Sequence, residues 1–221
     1  MCVIKLNNSK MVNLNINEIF YSLQGEAREV GLPTVFVRLT GCPLRCVYCD
    51  TEYAFKGNNM LSIDEILAEV KQYNTRYVCV TGGEPLAQID CHVLLDALVK
   101  GDYQVSLETS GSIDISAVNS GVSIVMDVKT PASNESKHNK YDNIEKLESK
   151  DQLKFVIGSK EDFDWSVDIV NQYPTEAGVL FSPVFDAVTP TQLADWILDN
   201  QLNVRMQVQM HKLLWGDEPG R

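Results

Sequence analysis

Apolar and polar positions alternate in blocks along the chain, and these blocks predict strands separated by helices. Short apolar runs rich in Val, Ile and Phe are typical of buried strands. Seven such runs occur, at residues 34–39, 77–81, 104–108, 123–126, 153–157, 178–181 and 204–208. Other stretches repeat apolar residues every three or four positions, the period of a helix with one buried face. They predict helices at about 62–70, 88–100, 161–172 and 191–199.

This order predicts an α/β fold with a mostly parallel sheet, because a helix between two strands returns the chain to the edge where the first strand began. About six to seven mostly parallel strands would form an open, partial (β/α) barrel, within a single domain that spans residues 1–221. Polar residues and glycines recur at the carboxyl ends of the strands, where such barrels carry their active sites. The polar segment 132–142 has little hydrophobic pattern, so we expect an exposed loop there.

The composition narrows the classes of function. The 221 residues include 30 acidic and 19 basic side chains, which give a formal net charge of −11. Such an acidic chain is not expected to bind nucleic acid, whose phosphates attract clusters of Lys and Arg. No apolar run reaches the roughly 18 residues of a membrane span, and the N-terminal residues lack the pattern of a signal peptide. We therefore expect a cytoplasmic protein that binds neither membranes nor nucleic acid.

Three of the six cysteines stand together in one short segment. Cys42, Cys46 and Cys49 are spaced four and three residues apart, so one loop can bring three soft thiolate ligands to one object. In a [4Fe-4S] cluster, three protein ligands leave one iron open for another molecule. The alternative is a zinc site, but structural zinc prefers four ligands in separated pairs, and the three histidines are remote in the sequence. Cys79 stands in an apolar run and is expected to be a core thiol.

The cysteine segment and several strand ends resemble a known family. The spacing Cys-x-x-x-Cys-x-Tyr-Cys, with Tyr48 before the third cysteine, resembles the signature of the radical S-adenosylmethionine (SAM) superfamily, whose members bind SAM at the open iron. Residues 81–85, Thr-Gly-Gly-Glu-Pro, are similar to that superfamily's second motif, which receives the amino group of SAM. An ordered set of further segments is similar to the 7-carboxy-7-deazaguanine synthase family, at 17–26, 50–51, 108–111 and 207–212.

The resemblance implies a reaction and its cofactors. The family contracts 6-carboxy-5,6,7,8-tetrahydropterin to 7-carboxy-7-deazaguanine with release of ammonia, a lyase step of queuosine biosynthesis in the tRNA modification pathway. One electron from the reduced [4Fe-4S] cluster cleaves SAM to a 5′-deoxyadenosyl radical, which takes a hydrogen atom from C6 of the pterin. SAM is regenerated afterwards. The family also requires Mg²⁺.

The resemblance also implies roles for individual residues. Cys42, Cys46 and Cys49 would hold the cluster, Thr51 would bind Mg²⁺, and His211 and Glu108 would be catalytic. The residues expected to bind the substrate are Leu23, Gln24, Gly25, Arg38 and Thr109. The residues expected to bind SAM are Tyr48, Asp50, Gly82, Gly83, Glu84, Gly111, Asp127, Val128 and Lys129. The guanidinium of Arg38 suits the substrate carboxylate because it can donate two parallel hydrogen bonds to it.

Two segments depart from the family's pattern. Ala27 stands where many relatives have glycine, and Asp127-Val128 stands where many have Ser-Pro. The second departure concerns the segment that the resemblance assigns to SAM.

Two other functions remain open from the sequence. One is an activase that places a glycyl radical on a partner protein, since such enzymes share the cysteine spacing and the partial barrel. The other is a non-catalytic iron–sulfur or zinc regulator, which would have a basic face and no affinity for SAM.

The resemblance further implies a homodimer and an electron donor. The expected donor is a flavodoxin or a ferredoxin. We expect Arg38, Arg45, Lys56 and Lys129 to surround the active edge as a local positive area, which suits an anionic substrate and an acidic electron donor.

Overall fold

The computed structural model describes residues 12–216, 218 and 220, so residues 1–11, 217, 219 and 221 of the expected domain lie outside it. Within the described residues, one sheet has nine strands. They are β1 Asn13–Leu23, β2 Pro33–Leu39, β3 Met60–Ser62, β4 Tyr77–Gly82, β5 Gln104–Thr109, β6 Val122–Val128, β7 Gln152–Ile157, β8 Gly178–Pro183 and β9 Arg205–Met206. The α-helices are α1 Ile63–Val70, α2 Cys91–Lys100, α3 Lys160–Gln172, α4 Pro190–Asp199 and α5 Met210–Trp215.

The strand order is β3-β1-β2-β4-β5-β6-β7-β8-β9. Strands β2 and β4 to β9 run parallel to one another, and these seven are the strands that the sequence predicted. The mostly parallel α/β sheet is therefore confirmed, and its order is consistent with a partial barrel. The sequence prediction lacked β1 and β3, which add two antiparallel strands at one edge.

The two ends of the parallel sheet are joined by contacts between loops. The backbone oxygen of Gly25, which follows β1, accepts a hydrogen bond from the Met210 N–H at 3.0 Å. The side-chain oxygen of Gln207 accepts a hydrogen bond from the Ala27 N–H at 2.5 Å, and its side-chain nitrogen donates one to the Ala27 carbonyl at 2.9 Å. The segment after β9 is thus fastened to the loop between β1 and β2.

Helix α1 begins with the capping box that its sequence predicts, whereas α2 begins three residues later than predicted and α5 was not predicted. Ser62 caps α1, accepting from the Glu65 N–H at 3.3 Å, while the Glu65 carboxylate accepts from the Ser62 N–H at 2.8 Å. This reciprocal pair satisfies two backbone donors that a helix start leaves unpaired. Cys79 is fully buried, which confirms the core thiol. None of the helices in the described residues has the length and apolar character needed to cross a membrane.

The expected exposed loop at 132–142 is confirmed for most of its length, since nine of these eleven residues are exposed or half-buried. The segment forms short 3₁₀ turns, Pro131–Ser133, Ser136–His138 and Tyr141–Lys146. Ser133 and Glu135 are buried in it. These two polar side chains can be buried because each bonds to a backbone group, Ser133 to the Thr130 carbonyl and Glu135 to the Arg45 N–H, and such contacts leave no hydrophobic period in the sequence.

Candidate active site

A cavity of about 670 Å³ opens at the carboxyl ends of the parallel strands. Most residues that the sequence singled out line it: Leu23, Gln24, Gly25, Arg38, Cys42, Cys46, Tyr48, Cys49, Asp50, Thr51, Gly82, Gly83, Glu108, Thr109, Asp127, Lys129 and His211. Three others, Glu84, Gly111 and Val128, are not among the lining residues. Segments far apart in the sequence therefore meet in one space, and their individual roles stay predictions.

The cysteine loop follows β2 and is packed against the end of β4. The N–H of Cys49 donates to the carbonyl of Cys46 at 3.2 Å, which closes a turn between the second and third cysteines. A Cβ atom on Gly83 would lie 2.3 Å from the backbone oxygen of Gly41 and 2.7 Å from the Cβ of Cys42. Glycine at this position is therefore required for the strand end to approach the loop.

The three thiols are partly buried at one end of the cavity. Burial raises the pKa of Cys42, Cys46 and Cys49, that of Cys46 to about 11, so binding of iron must displace their protons. In the described part of the chain, no three His, Cys, Asp or Glu side chains are grouped to hold a single metal ion. Three soft donors from one loop fit a multi-iron cluster better than a lone zinc ion.

Glu84 joins the ends of two strands from behind the cavity. Its fully buried carboxylate accepts hydrogen bonds from the Thr109 hydroxyl at 2.9 Å, the Ser110 N–H at 2.7 Å and the Leu86 N–H at 3.0 Å. The first two donors belong to the end of β5 and the residue after it. These contacts hold the turn at Gly82 and Gly83 beside β5. Glu84 itself is not among the residues that line the cavity.

Glu108 and Gln24 form a polar wall of the cavity. One Glu108 oxygen accepts from the Gln24 side chain at 3.3 Å, and the other accepts from the Thr81 hydroxyl at 2.9 Å. Gln24 is 2% exposed, so its amide is fixed within this contact. The carboxylate is held by neutral donors at both oxygens.

Arg38 is held inside the cavity by its neighbours. Its Nε donates to Glu18 at 2.7 Å, and its guanidinium lies 5.8 Å from the ring centres of both Phe20 and Tyr53. The Tyr53 hydroxyl donates to the same Glu18 oxygen at 2.8 Å. Because Phe20 and Tyr53 flank it, the planar group is presented to the cavity in a defined orientation.

Of the four cations expected around the active edge, Arg38 and Lys129 line the cavity, and Arg45 and Lys56 do not. The side chains of Arg38 and Lys129 are each 14% exposed and ion-paired, with Lys129 Nζ 2.9 Å from Asp127. Only Arg45 and Lys56 are on the surface. Arg38 belongs to β2 and Lys129 follows β6, so both cations stand at strand ends that meet at the cavity.

Oxygen atoms cluster at Thr51, beside the third cysteine. The Thr51 hydroxyl donates to one oxygen of Asp50 at 2.8 Å, and Gln209 donates to the other at 3.2 Å. Asp50, Thr51 and Gln209 all line the cavity. Such a group offers the hard oxygen ligands that Mg²⁺ prefers.

Sequence reasoning missed an ion pair between Glu26 and Lys154 in the cavity wall. The two side chains are in direct contact and only 13% and 11% exposed. Burial opposes both charges, but their mutual attraction outweighs it, so the pKa of Glu26 is lowered and that of Lys154 is raised. The sequence does contain a sign of this ion pair, which is Lys154 within the apolar run 153–157. A charged side chain buried in a strand needs a partner of opposite charge.

The chain matches known proteins along most of its length. Residues 36–171 match the radical SAM superfamily. A 7-carboxy-7-deazaguanine synthase of Koribacter versatilis is 40% identical over 222 residues, which cover 93% of this chain and 98% of the relative. One of Methanospirillum hungatei is 39% identical over 202 residues, covering 91% and 85%. The chain belongs to the 7-carboxy-7-deazaguanine synthase family.

The fold of this 7-carboxy-7-deazaguanine synthase family member has a counterpart among solved structures. The crystal structure of QueE from Escherichia coli superposes with a TM-score of 0.76 at 24% identity, covering 90% of this chain and 95% of that one. This likeness confirms the radical SAM type of fold, and the matches to the superfamily and to the synthases confirm the family resemblance. Membership of the superfamily implies a [4Fe-4S] cluster and SAM as cofactors, and neither the activase nor the non-catalytic regulator is favoured.

Proposed function

We propose that the protein converts 6-carboxy-5,6,7,8-tetrahydropterin to 7-carboxy-7-deazaguanine and ammonia. The observation that carries the proposal is the match to synthases along 93% of the chain, in a structure whose cavity joins three thiols, Arg38 and Glu108. The reaction balances, because the product differs from the substrate by one NH₃. When bound, the reduced cluster and SAM supply the radical that begins the rearrangement.

The chain's own residues bind and orient the reactants. We assign the cluster to Cys42, Cys46 and Cys49, and the substrate carboxylate to Arg38. The wall of Gln24 and Glu108 faces the same cavity and suits the donors of the pterin ring. Holding the substrate in one pose beside the cluster is the main contribution of such residues, because it replaces a random encounter by a fixed geometry.

The remaining SAM contacts are assigned to the strand ends around the cysteine loop. The residues are Tyr48, Asp50, Gly82, Gly83, Asp127 and Lys129, all of which line the cavity. The Tyr48 hydroxyl is 3.2 Å from the Thr130 hydroxyl, and burial raises its pKa to about 12, so the ring stays neutral. Three other residues, Glu84, Gly111 and Val128, do not line the cavity. They would contribute by supporting the backbone of the residues that do.

His211 and Glu108 are assigned to proton transfer. Release of ammonia requires protons at the departing nitrogen, and a histidine ring nitrogen can carry a proton near neutral pH. His211 lies on α5 at the edge of the cavity, on the side of Gly25. Glu108 lies across the cavity at the end of β5.

Thr51 is the proposed protein ligand of Mg²⁺, with the substrate carboxylate and water completing the coordination. The test is activity as a function of Mg²⁺ concentration in Thr51→Ala, with Thr51→Ser as the matched control that keeps the hydroxyl. We expect the alanine variant to need roughly tenfold more Mg²⁺ and the serine variant to resemble the unmodified protein. Equal Mg²⁺ requirements in all three would contradict the assignment.

The proposed electron donor is a flavodoxin or a ferredoxin that docks beside the cysteine loop. Val47 projects from that loop with 67% of its surface exposed. The neighbouring segment carries the exposed cations Lys137 and Lys140, in a chain whose net charge is −11. A basic face beside the cluster suits an acidic donor.

Stopped-flow oxidation of reduced flavodoxin tests this docking. Lys137→Glu should slow electron transfer and weaken its dependence on salt. Lys71→Glu makes the same charge change at the end of α1 and should leave the rate unchanged. Equal rates in both variants would contradict the docking face, while reduction by dithionite serves as the control for an intact cluster.

We also propose that the protein is a cytoplasmic homodimer. The family resemblance supports the dimer, and five free cysteines among the described residues suit a reducing compartment. Sedimentation should give about twice the chain mass of 24.7 kDa, and a mass near that of one chain would contradict the dimer.

Anaerobic turnover tests the proposed function. Reconstituted, reduced protein should form 7-carboxy-7-deazaguanine from the pterin with one ammonia per product, and Cys46→Ala should form none. Cleavage of SAM without this product would retain the superfamily chemistry and contradict the substrate.

A further inference from the structure

The cysteine loop is bonded at several points to the segment that follows β6. The N–H of Arg45 donates to Glu135 Oε1 at 2.8 Å, and Arg45 lies between the first and second cysteines. The N–H of Val47 donates to the Ser133 carbonyl at 3.1 Å, between the second and third cysteines. The Tyr48 and Thr130 hydroxyls are 3.2 Å apart in the same interval. Each spacer between the cysteines is therefore tied to residues 130–135.

Glu135 is the one charged side chain among these contacts, and it is fixed on both sides. It is 9% exposed, and its second oxygen lies 2.6 Å from Nδ1 of His138. Its N–H donates to the Ser133 hydroxyl at 3.0 Å, which in turn donates to the Thr130 carbonyl at 2.6 Å. The carboxylate is thus aimed at the Arg45 N–H by a chain of buried hydrogen bonds.

The orientation of this N–H bears on the spacing of the thiols. Arg45 directly precedes Cys46, so rotation of its peptide would move the second cysteine relative to the first. Its side chain also binds the loop, because Nη1 donates to the carbonyls of Cys42 and Leu44 at 2.7 and 2.6 Å. A charged acceptor holds a backbone N–H more strongly than a neutral one. The loop geometry that three irons require is therefore fixed from outside the loop.

We propose that Glu135 is a positioning residue for the iron–sulfur cluster: it holds the Arg45 peptide so that Cys42 and Cys46 keep the spacing for cluster binding. The proposal rests on the cluster part of the proposed function and is independent of the substrate. Partners of metal ligands commonly change metal affinity by roughly 10- to 100-fold when they are removed.

The test is the rate at which an iron chelator removes iron from anaerobically reconstituted protein. Glu135→Met keeps the buried volume without the carboxylate oxygens, whereas Glu135→Gln keeps an oxygen that can accept from Arg45. We expect iron loss roughly 10- to 100-fold faster in Glu135→Met, and a rate in Glu135→Gln that is much nearer to that of the unmodified protein. Glu135→Ala provides a second variant without an acceptor.

Asp151→Ala is the matched control. Asp151 is 1% exposed, and its carboxylate accepts from the N–H groups of Ile124 and Glu148, both at 2.8 Å, at the start of β7 and away from the cysteines. Its loss should lower the unfolding midpoint of the cluster-free protein without faster iron release. Iron release in Glu135→Met at the unmodified rate, equal acceleration in Asp151→Ala, or no rescue by Glu135→Gln would overturn the proposal.

The electron paramagnetic resonance spectrum of the reduced cluster gives a second readout. An altered spectrum in Glu135→Met that returns in Glu135→Gln is expected, and identical spectra in all variants would overturn the role. If the unmodified protein forms no 7-carboxy-7-deazaguanine, the substrate assignment fails while iron release still decides the role of Glu135.

Discussion

Gly25 and His211 approach each other so closely that no side chain fits at position 25. A Cβ atom on Gly25 would lie 2.3 Å from Nδ1 of His211 and 3.2 Å from its backbone nitrogen. The hydrogen bond from Met210 to the Gly25 carbonyl, at 3.0 Å, holds the same two segments together. The loop after β1 therefore determines where the histidine ring lies in the cavity.

Gly25→Ala should displace the His211 ring and lower kcat by about 10²-fold, since misplacement of a reacting group by about 1 Å can have an effect of this size. Gly178→Ala is the matched control, because a Cβ atom there meets nothing within 4 Å. The measurement is kcat for both variants at saturating substrate. Unchanged turnover in Gly25→Ala would show that the position of His211 is not important for the reaction.

Arg38→Lys should raise KM for the pterin by roughly tenfold and leave KM for SAM unchanged. Lysine keeps the charge but lacks the planar fork that donates two parallel hydrogen bonds to a carboxylate. The rings of Phe20 and Tyr53 also lose their planar partner. Arg76→Lys, the same change at an exposed position, should alter neither KM. Equal shifts of both KM values would indicate a general loss of structure.

Lys154→Met should destabilise the protein by about 3–5 kcal/mol near neutral pH, because it leaves the Glu26 charge buried without its partner. In the unmodified protein the pKa of Glu26 is lowered and that of Lys154 is raised. The pair therefore stabilises the fold fully between pH 4.5 and pH 10.5, the pKa values of Glu26 and Lys154 in the unfolded chain. This stabilisation is lost as the pH falls below or rises above that window.

The pH dependence separates this effect from a simple loss of packing. In Lys154→Met, burial without a cation raises the pKa of Glu26, so the carboxyl takes up a proton as the pH falls. The difference in free energy of unfolding from the unmodified protein should therefore shrink between pH 7 and pH 5, as measured by urea unfolding. Lys160→Met, which removes an exposed pair with Asp164, should have little effect at either pH. A difference that stays constant with pH would contradict the buried-charge account.

The parallel part of the sheet could be predicted because its strands are apolar runs buried on both faces. Strand β4 is an example, with the consecutive residues Val78, Cys79 and Val80 all buried. Strand β1 was missed because its pattern is mixed, with part-buried positions along most of its length. Strand β3 has three residues, too few for a periodic signal. Antiparallel edge strands of this kind are determined by pairing, which a single sequence does not display.

Most of the candidate site could be predicted because its residues stand in short segments at strand ends. Cys42, Gly83 and Glu108 are brought to one cavity by the parallel order of the strands. The contacts that support them could not be predicted. Glu135 reaches the cysteine loop across 90 residues of sequence, and Gln207 reaches Ala27 across 180, because the fold alone determines which backbone groups a polar side chain meets.

The most direct test of the proposed chemistry uses the pterin labelled with deuterium at C6. The reduced, reconstituted protein is incubated anaerobically with SAM, Mg²⁺ and the labelled substrate, and both the product and the recovered SAM are analysed by mass spectrometry. Hydrogen abstraction from C6 followed by regeneration of SAM predicts that deuterium enters SAM as 7-carboxy-7-deazaguanine forms. Product formation with no deuterium in SAM would contradict a radical reaction at C6 in this cavity.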